Sequence, residues 1–195
     1  MIRVGIIGDI GSGKSFVSKL FKYPIFNADN EVKNIYKSNK NCFLKLKKKL
    51  PRYIKSFPIK KKNLIEAINA DKNNLKKITD VVHPLVRIKL DNFLKKNKKR
   101  QMVILDIPLL VENNIYKKDD ILIFVKTYKY KILNRLKKRA NYNKSILKKL
   151  RNNQTLLFKK RKLANYIVEN NYSPNIMKKK ITFLKIKILN ERSST

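Results

Sequence analysis

The stretch Gly8-Asp9-Ile10-Gly11-Ser12-Gly13-Lys14-Ser15 follows directly on an apolar run, Ile2-Arg3-Val4-Gly5-Ile6-Ile7, and leads into a helical pattern. A buried strand, a glycine-rich turn and a helix in that order open a parallel α/β sheet. The turn fits G-x-x-x-x-G-K-[ST] at every fixed position, in the strand-to-helix context that a phosphate-binding loop requires. Its glycines let backbone N–H groups converge on phosphate oxygens, and the helix N-terminus adds partial positive charge. Gly8, Gly11, Ser12, Gly13, Lys14, Ser15 and Phe16 are therefore the candidate cradle for a nucleoside triphosphate. Lys14 is expected at the β and γ phosphates and the Ser15 hydroxyl on Mg²⁺. A dinucleotide fingerprint is disfavoured, because Phe16 stands where its third glycine belongs. Asp9, a carboxylate in a loop meant for anions, is expected to face solvent.

Composition sharpens this reading. All four glycines, Gly5, Gly8, Gly11 and Gly13, lie within the first 13 residues, and the later turns are expected to use Asn at Asn73-Asn74, Asn113-Asn114 and Asn170-Asn171. The net charge of +36 points first to a polyanionic partner. Yet Lys, Asn and Ile dominate throughout, as A/T-rich codons would produce, and the Lys residues are spread without an arginine-rich arm or interleaved aromatics. Specific nucleic-acid binding is not expected; salt-sensitive attraction is. One cysteine, Cys42, excludes an intramolecular disulfide and a Cys-rich metal site. The chain opens on a strand-like run rather than a leader, and no uncharged run approaches bilayer length, so a cytoplasmic protein without a membrane partner is expected.

Strands are predicted at 2–7, 24–26, 102–105, 121–125 and 166–168, and helices at 14–22, 129–162 and 174–189. The segment 31–94 has a helical pattern with expected breaks at Pro51, Pro58 and Pro84. Alternating strands and helices predict a three-layer α/β fold with a parallel five-stranded sheet. The expected organisation is one domain with a core at about 1–30, 99–128 and 163–195, a helical insertion at about 31–98 and a helical stretch at about 129–162.

Four further positions carry candidate chemistry. A helix of about 12 Å leaving the loop and an extended return of about 13 Å nearly cancel, so Asp29 is expected at the carboxyl edge of the sheet. There it suits a base that orients an attacking hydroxyl, or an N-cap for a helix near Asn30. Asp106 ends an apolar strand, where it suits Mg²⁺, directly or through water, or a loop cap before Pro108. Arg135 and Arg139, four apart, share a helix face that suits either a lid over phosphates or solvent. His83, the sole histidine, suits a loop or capping position beside Pro84.

Together, GIIGDIGSGKS (5–15), NAD (27–29), HPLVR (83–87), IPLLVENN (107–114), RLKKR (135–139) and the series Gln154, Lys160 and ANYIVEN (164–170) resemble the bacterial dephospho-coenzyme A kinase family over nearly the whole chain. The resemblance implies a P-loop kinase fold with a helical substrate-binding insertion and a helical lid. It implies transfer of the ATP γ-phosphate to the 3′-hydroxyl of dephospho-coenzyme A, with Mg²⁺, in the last step of coenzyme A synthesis, by a chain expected to be monomeric. Lys14, Asp29 and Arg139 become the catalytic candidates. His83 and Arg87 fall on the acceptor side, and Arg135 and Asn170 on the ATP side. The chain departs from the family pattern at Asp9, Phe16, Asn27, Ala140, Asn165 and Tyr172, the last standing in place of a glycine. Other small P-loop kinases of nucleosides, nucleotides or shikimate-like alcohols share the loop and Asp29 but not the HPLVR, IPLLVENN and ANYIVEN combination. A non-catalytic, nucleic-acid-binding relative is the more distant alternative.

Overall fold

The computed structural model describes residues 1–138 and 155–193. Five strands form one sheet in the order β2-β3-β1-β4-β5: β1 is Ile2–Gly8, β2 Ile25–Asn27, β3 Met102–Asp106, β4 Ile121–Lys126 and β5 Tyr166–Glu169. β1 runs parallel to both β3 and β4, and β4 parallel to β5. The apolar runs become these strands because both faces are covered. β3 is buried at every position, and so is β4 up to Lys126.

Two compact units emerge, one of Met1–Phe26 with the described residues from Asn97 onward, the other of Asn27–Lys96. In the first, α1 (Lys14–Leu20) and the C-terminal α8 (Pro174–Ser193) pack against each other and share one apolar core with the sheet. Val17 and Phe21 from the first side of the loop, and Met177, Ile181 and Ile188 from α8, bury against Val4, Ile6, Ile104 and Ile123. Two shorter helices are α6 (Lys129–Lys137) and α7 (Leu157–Leu163).

The second unit holds α2 (Ala28–Ser38), α3 (Lys40–Lys49), α4 (Lys61–Ala70) and α5 (Lys72–Lys96). Its own core joins Ile35, Leu46, Ile54, Leu64, Ile78, Val81 and Val82, so it has an apolar interior separate from that of the sheet. Asn caps set the starts of α2 and α3. The Asn27 side chain accepts the Asn30 N–H at 2.9 Å, and the Asn39 side chain accepts the Cys42 N–H at 2.7 Å.

Three local expectations are corrected. Pro84 does not break the helix, since α5 runs through it. An interior proline costs about 3 kcal/mol, but each buried Ile or Val side chain returns about 2 kcal/mol, and Ile78, Val81, Val82 and Leu90 all bury from this helix. Asn73-Asn74 is no turn: both residues lie in α5, where buried Asn74 donates to the Ala67 carbonyl at 2.9 Å. Near the C-terminal end of β5, the left-handed residue is neither Asn170 nor Asn171 but Tyr172, at φ 64°. Asn114 does adopt positive φ, 48°. No described helix is long and apolar enough to cross a membrane.

Candidate functional site

The loop between β1 and α1 is built from backbone held on all sides. Gly13 caps α1 at φ 93°, and a β-carbon there would collide with the Asn170 amide nitrogen. Both facts require glycine. At Gly11, φ 85°, a β-carbon would press within 3.1–3.2 Å of Ile132 and Leu136 of α6. Those two residues are buried with Ile10 against them, which fixes α6 to the loop. Gly8 ends β1, Ser12 is fully buried, Ser15 is exposed in the first turn of α1, and Phe16 is half-buried against the sheet core.

Side chains after β4 and β5 hold the loop by its carbonyls. Thr127 Oγ1 and Asn170 Nδ2 donate to the Ser12 carbonyl, at 3.0 and 2.8 Å. The Tyr172 hydroxyl donates to the Gly11 carbonyl at 2.7 Å. Because a peptide is planar and trans, fixing a carbonyl also fixes the N–H of the next residue on the opposite side. The Ser12 carbonyl, drawn toward β4 and β5, therefore turns the Gly13 N–H the other way. Asn170 is wholly buried, and its Oδ1 accepts the Tyr172 N–H at 2.9 Å, so the structure places it behind the loop as a brace. Lys14 Nζ donates to the Gly8 and Asp9 carbonyls at 3.2 and 2.9 Å, folded over the loop it belongs to.

Asp9 does not face solvent. It is 7% exposed, and its Oδ1 accepts the N–H of Ile10 at 2.6 Å. Turning the carboxylate onto its own loop backbone satisfies a donor with the charge that would otherwise meet the anion.

Arg135 of α6 stands at this loop. Its Nη1 would lie 3.5 Å from a β-carbon on Gly13, and its guanidinium sits 4.9 Å from the centre of the Tyr172 ring. A cleft of about 420 Å³ opens here, lined by Phe16, Asn134, Arg135, Lys138, Tyr172 and Pro174. Arg139, Ala140 and Gln154 lie outside the described residues. Lys160, 1% exposed on α7, is an internal partner: it pairs with Glu112 at 2.5 Å, and Glu112 Oε1 also takes the Thr155 N–H at 2.9 Å.

Asp106 is buried at the carboxyl end of β3, one residue beyond Leu105, which pairs in register with Gly5 of β1. Ser15 and Asp106 offer a hydroxyl and a carboxylate. Such hard oxygen donors suit Mg²⁺, which takes few protein ligands and fills its octahedron with water and phosphate oxygens. The absence of a cluster of three His, Cys, Asp or Glu among the described residues is compatible with such a sparse site.

In the helical unit, Asp29 lies exposed in the first turn of α2. The cap there is Asn27, not Asp29, because the Asn27 oxygen already receives the Asn30 N–H. His83 and Arg87, four apart on α5, are both exposed. Partial burial, followed by the Arg87 charge, lowers the His83 pKa, and Asp80 opposes the shift.

Thr127 and the Tyr172 hydroxyl were missed by sequence reasoning. The signal for Thr127 was its place immediately after a parallel strand, the edge at which Asn170 also emerges.

Residues 2–175 match the family profile described as Dephospho-CoA kinase. The chain belongs to the dephospho-CoA kinase family. Among similar members of that family, the dephospho-CoA kinase of Wolbachia pipientis wMel is 31% identical over 175 residues, 87% of this chain and 89% of the relative. That of Ehrlichia canis is 30% identical over 195 residues, 97% of this chain and 95% of the relative. Among solved structures, TT1252 from Thermus thermophilus superposes with a TM-score of 0.79 at 26% identity, covering 96% of each chain. The dephospho-CoA kinase of Campylobacter jejuni superposes at 0.66 with 21% identity over 96% of each chain, a likeness of fold.

Proposed function

We propose that this chain transfers the γ-phosphate of ATP to the 3′-hydroxyl of dephospho-coenzyme A, giving ADP and coenzyme A, the last step of coenzyme A biosynthesis. The observation that carries the reading is the family match over residues 2–175 around a complete phosphate loop. Thr127, Asn170 and Tyr172 hold that loop by its carbonyls. The loop N–H groups bind the phosphates, and Lys14 exchanges its two carbonyl partners for β and γ oxygens. Ser15 and Asp106 would hold Mg²⁺, which neutralises phosphate charge when bound. The cleft beside Phe16 and Arg135 receives the nucleoside, with Arg139 added from the lid.

In this reading Asp29 orients the attacking hydroxyl and takes its proton, while His83 and Arg87 meet the acceptor. The helical unit 27–96 is the coenzyme-A-binding part. The enzyme works in the cytoplasm as a monomer, with no nucleic-acid or membrane partner.

The test is ADP release with Mg²⁺-ATP, comparing dephospho-coenzyme A with adenosine, AMP and shikimate and identifying the product by mass. Turnover with dephospho-coenzyme A alone is expected, and turnover with another acceptor alone overturns the assignment. Asp29→Asn should bind ATP as before and lose roughly 10²- to 10⁴-fold in kcat. Near-normal turnover in that variant removes Asp29 from its role.

A further inference from the structure

Tyr172 combines an unfavourable backbone with unusually productive contacts. At φ 64° it adopts a conformation that a β-carbon disfavours and glycine takes freely. Its side chain makes two contacts that glycine lacks. The hydroxyl donates to the Gly11 carbonyl at 2.7 Å, which fixes one peptide plane of the phosphate loop. The ring lies 4.9 Å from the Arg135 guanidinium carbon, whose Nη1 overhangs Gly13. An arginine on a helix surface samples many rotamers, and an aromatic face beneath it restricts them.

We propose that Tyr172 is a positioning residue for nucleotide binding, presetting both the Gly11 peptide and the Arg135 guanidinium at the mouth of the phosphate loop. The inference rests on the reading of that loop as an ATP site. It goes further in assigning to a single ring the alignment of the cation that meets the nucleotide's phosphates. Alignment before binding lowers the cost of ordering when the ligand arrives. Because the phosphates are held alike before and during transfer, the effect falls on ATP affinity rather than on turnover.

The experiment measures binding of a non-hydrolysable ATP analogue by calorimetry, together with steady-state kinetics, for wild type, Tyr172→Phe and Tyr172→Gly. Tyr172→Phe keeps the ring and should weaken binding about fivefold, as loss of one hydrogen bond does. Tyr172→Gly, which also relieves the backbone, should weaken it about tenfold or more. In both, kcat at saturating ATP and the acceptor KM should stay within about twofold of wild type. In an Arg135→Gln background the two variants should become equal, because the ring then has no cation to hold.

Wild-type affinity in Tyr172→Phe and in Tyr172→Gly overturns the proposal, as do equal losses in kcat and acceptor KM, which mark general disorder. Should Tyr172→Gly fail to fold, Tyr172→Phe decides alone. A wild-type chain that binds the analogue but phosphorylates no acceptor refutes the kinase reading and leaves this inference standing. One that binds no analogue refutes both.

Discussion

The two ends of the parallel sheet treat their polar groups in opposite ways. At the amino end, Arg3 of β1 pairs with Asp120, just before β4, at 3.0 Å between nearly buried side chains. Asp120 also accepts the Lys117 N–H at 2.9 Å. At the carboxyl end, Thr127, Asn170 and Tyr172 donate to carbonyls of the glycine loop. Charges at the first end are matched to each other inside the protein. Donors at the second are matched to backbone acceptors, and the Ser12 carbonyl held there turns the Gly13 amide the other way. Both ends bring strand termini together with similar burial, so the sheet alone does not make a binding site; the direction of the hydrogen bonds at its edge does.

This contrast can be broken by mutation. Lys14→Ala should leave the fold intact and lower transfer by about 10³-fold, in line with loss of a principal charge contact to the transferring group. Unchanged single-turnover formation of coenzyme A would remove the carboxyl end from catalysis. At the amino end, Arg3→Met should destabilise by about 3 kcal/mol in urea melts by stranding the buried Asp120, with the KM for ATP unchanged. A raised KM would show that the two ends are coupled. Asn170→Ala should cost about 2 kcal/mol by stripping a donor from the Ser12 carbonyl and an acceptor from the Tyr172 N–H. Unlike Arg3→Met, it should also raise the KM for ATP.

The smallest expected effect concerns pH. Burial raises the Asp120 pKa, and the Lys117 backbone N–H and Arg3 oppose the shift. A carboxyl whose folded pKa lies above its unfolded one binds its proton more tightly in the native state. Its contribution is complete below the unfolded value and is lost as pH rises through the folded one. The stability of wild type relative to Asp120→Asn should therefore decline as pH rises above about 4, in parallel thermal melts. An increasing difference would place the shift in the other direction.

The fold and the phosphate loop were legible because their signals are local. An apolar run, four glycines confined to the first 13 residues, and Lys14-Ser15 specify strand, turn and helix without reference to the rest of the chain. At two positions, Asn27 and Asn165, the side chain serves the fold by accepting a backbone N–H. Asn27 accepts the Asn30 N–H at 2.9 Å, and Asn165 accepts the Leu122 N–H at 2.8 Å. An amide oxygen accepts such a bond as a carboxylate does. What was not legible depends on partners distant in sequence. Pro84 looks like a helix breaker until the apolar residues around it are seen buried. Asp9 looks exposed until its own loop folds beneath it. Tyr172 looks like any surface tyrosine until its hydroxyl reaches a carbonyl 161 positions away in the chain.

Lys14 bonds to the carbonyls of Gly8 and Asp9. If Lys14 meets the phosphates as proposed, arrival of a triphosphate is an exchange of partners, and departure of the diphosphate is the reverse exchange. A departing product leaves no stranded ammonium behind, because the lysine has a place to return to. On that reading the same two carbonyls would weaken the grip on ATP, shorten the wait for ADP to leave and keep the loop shaped for the next nucleotide.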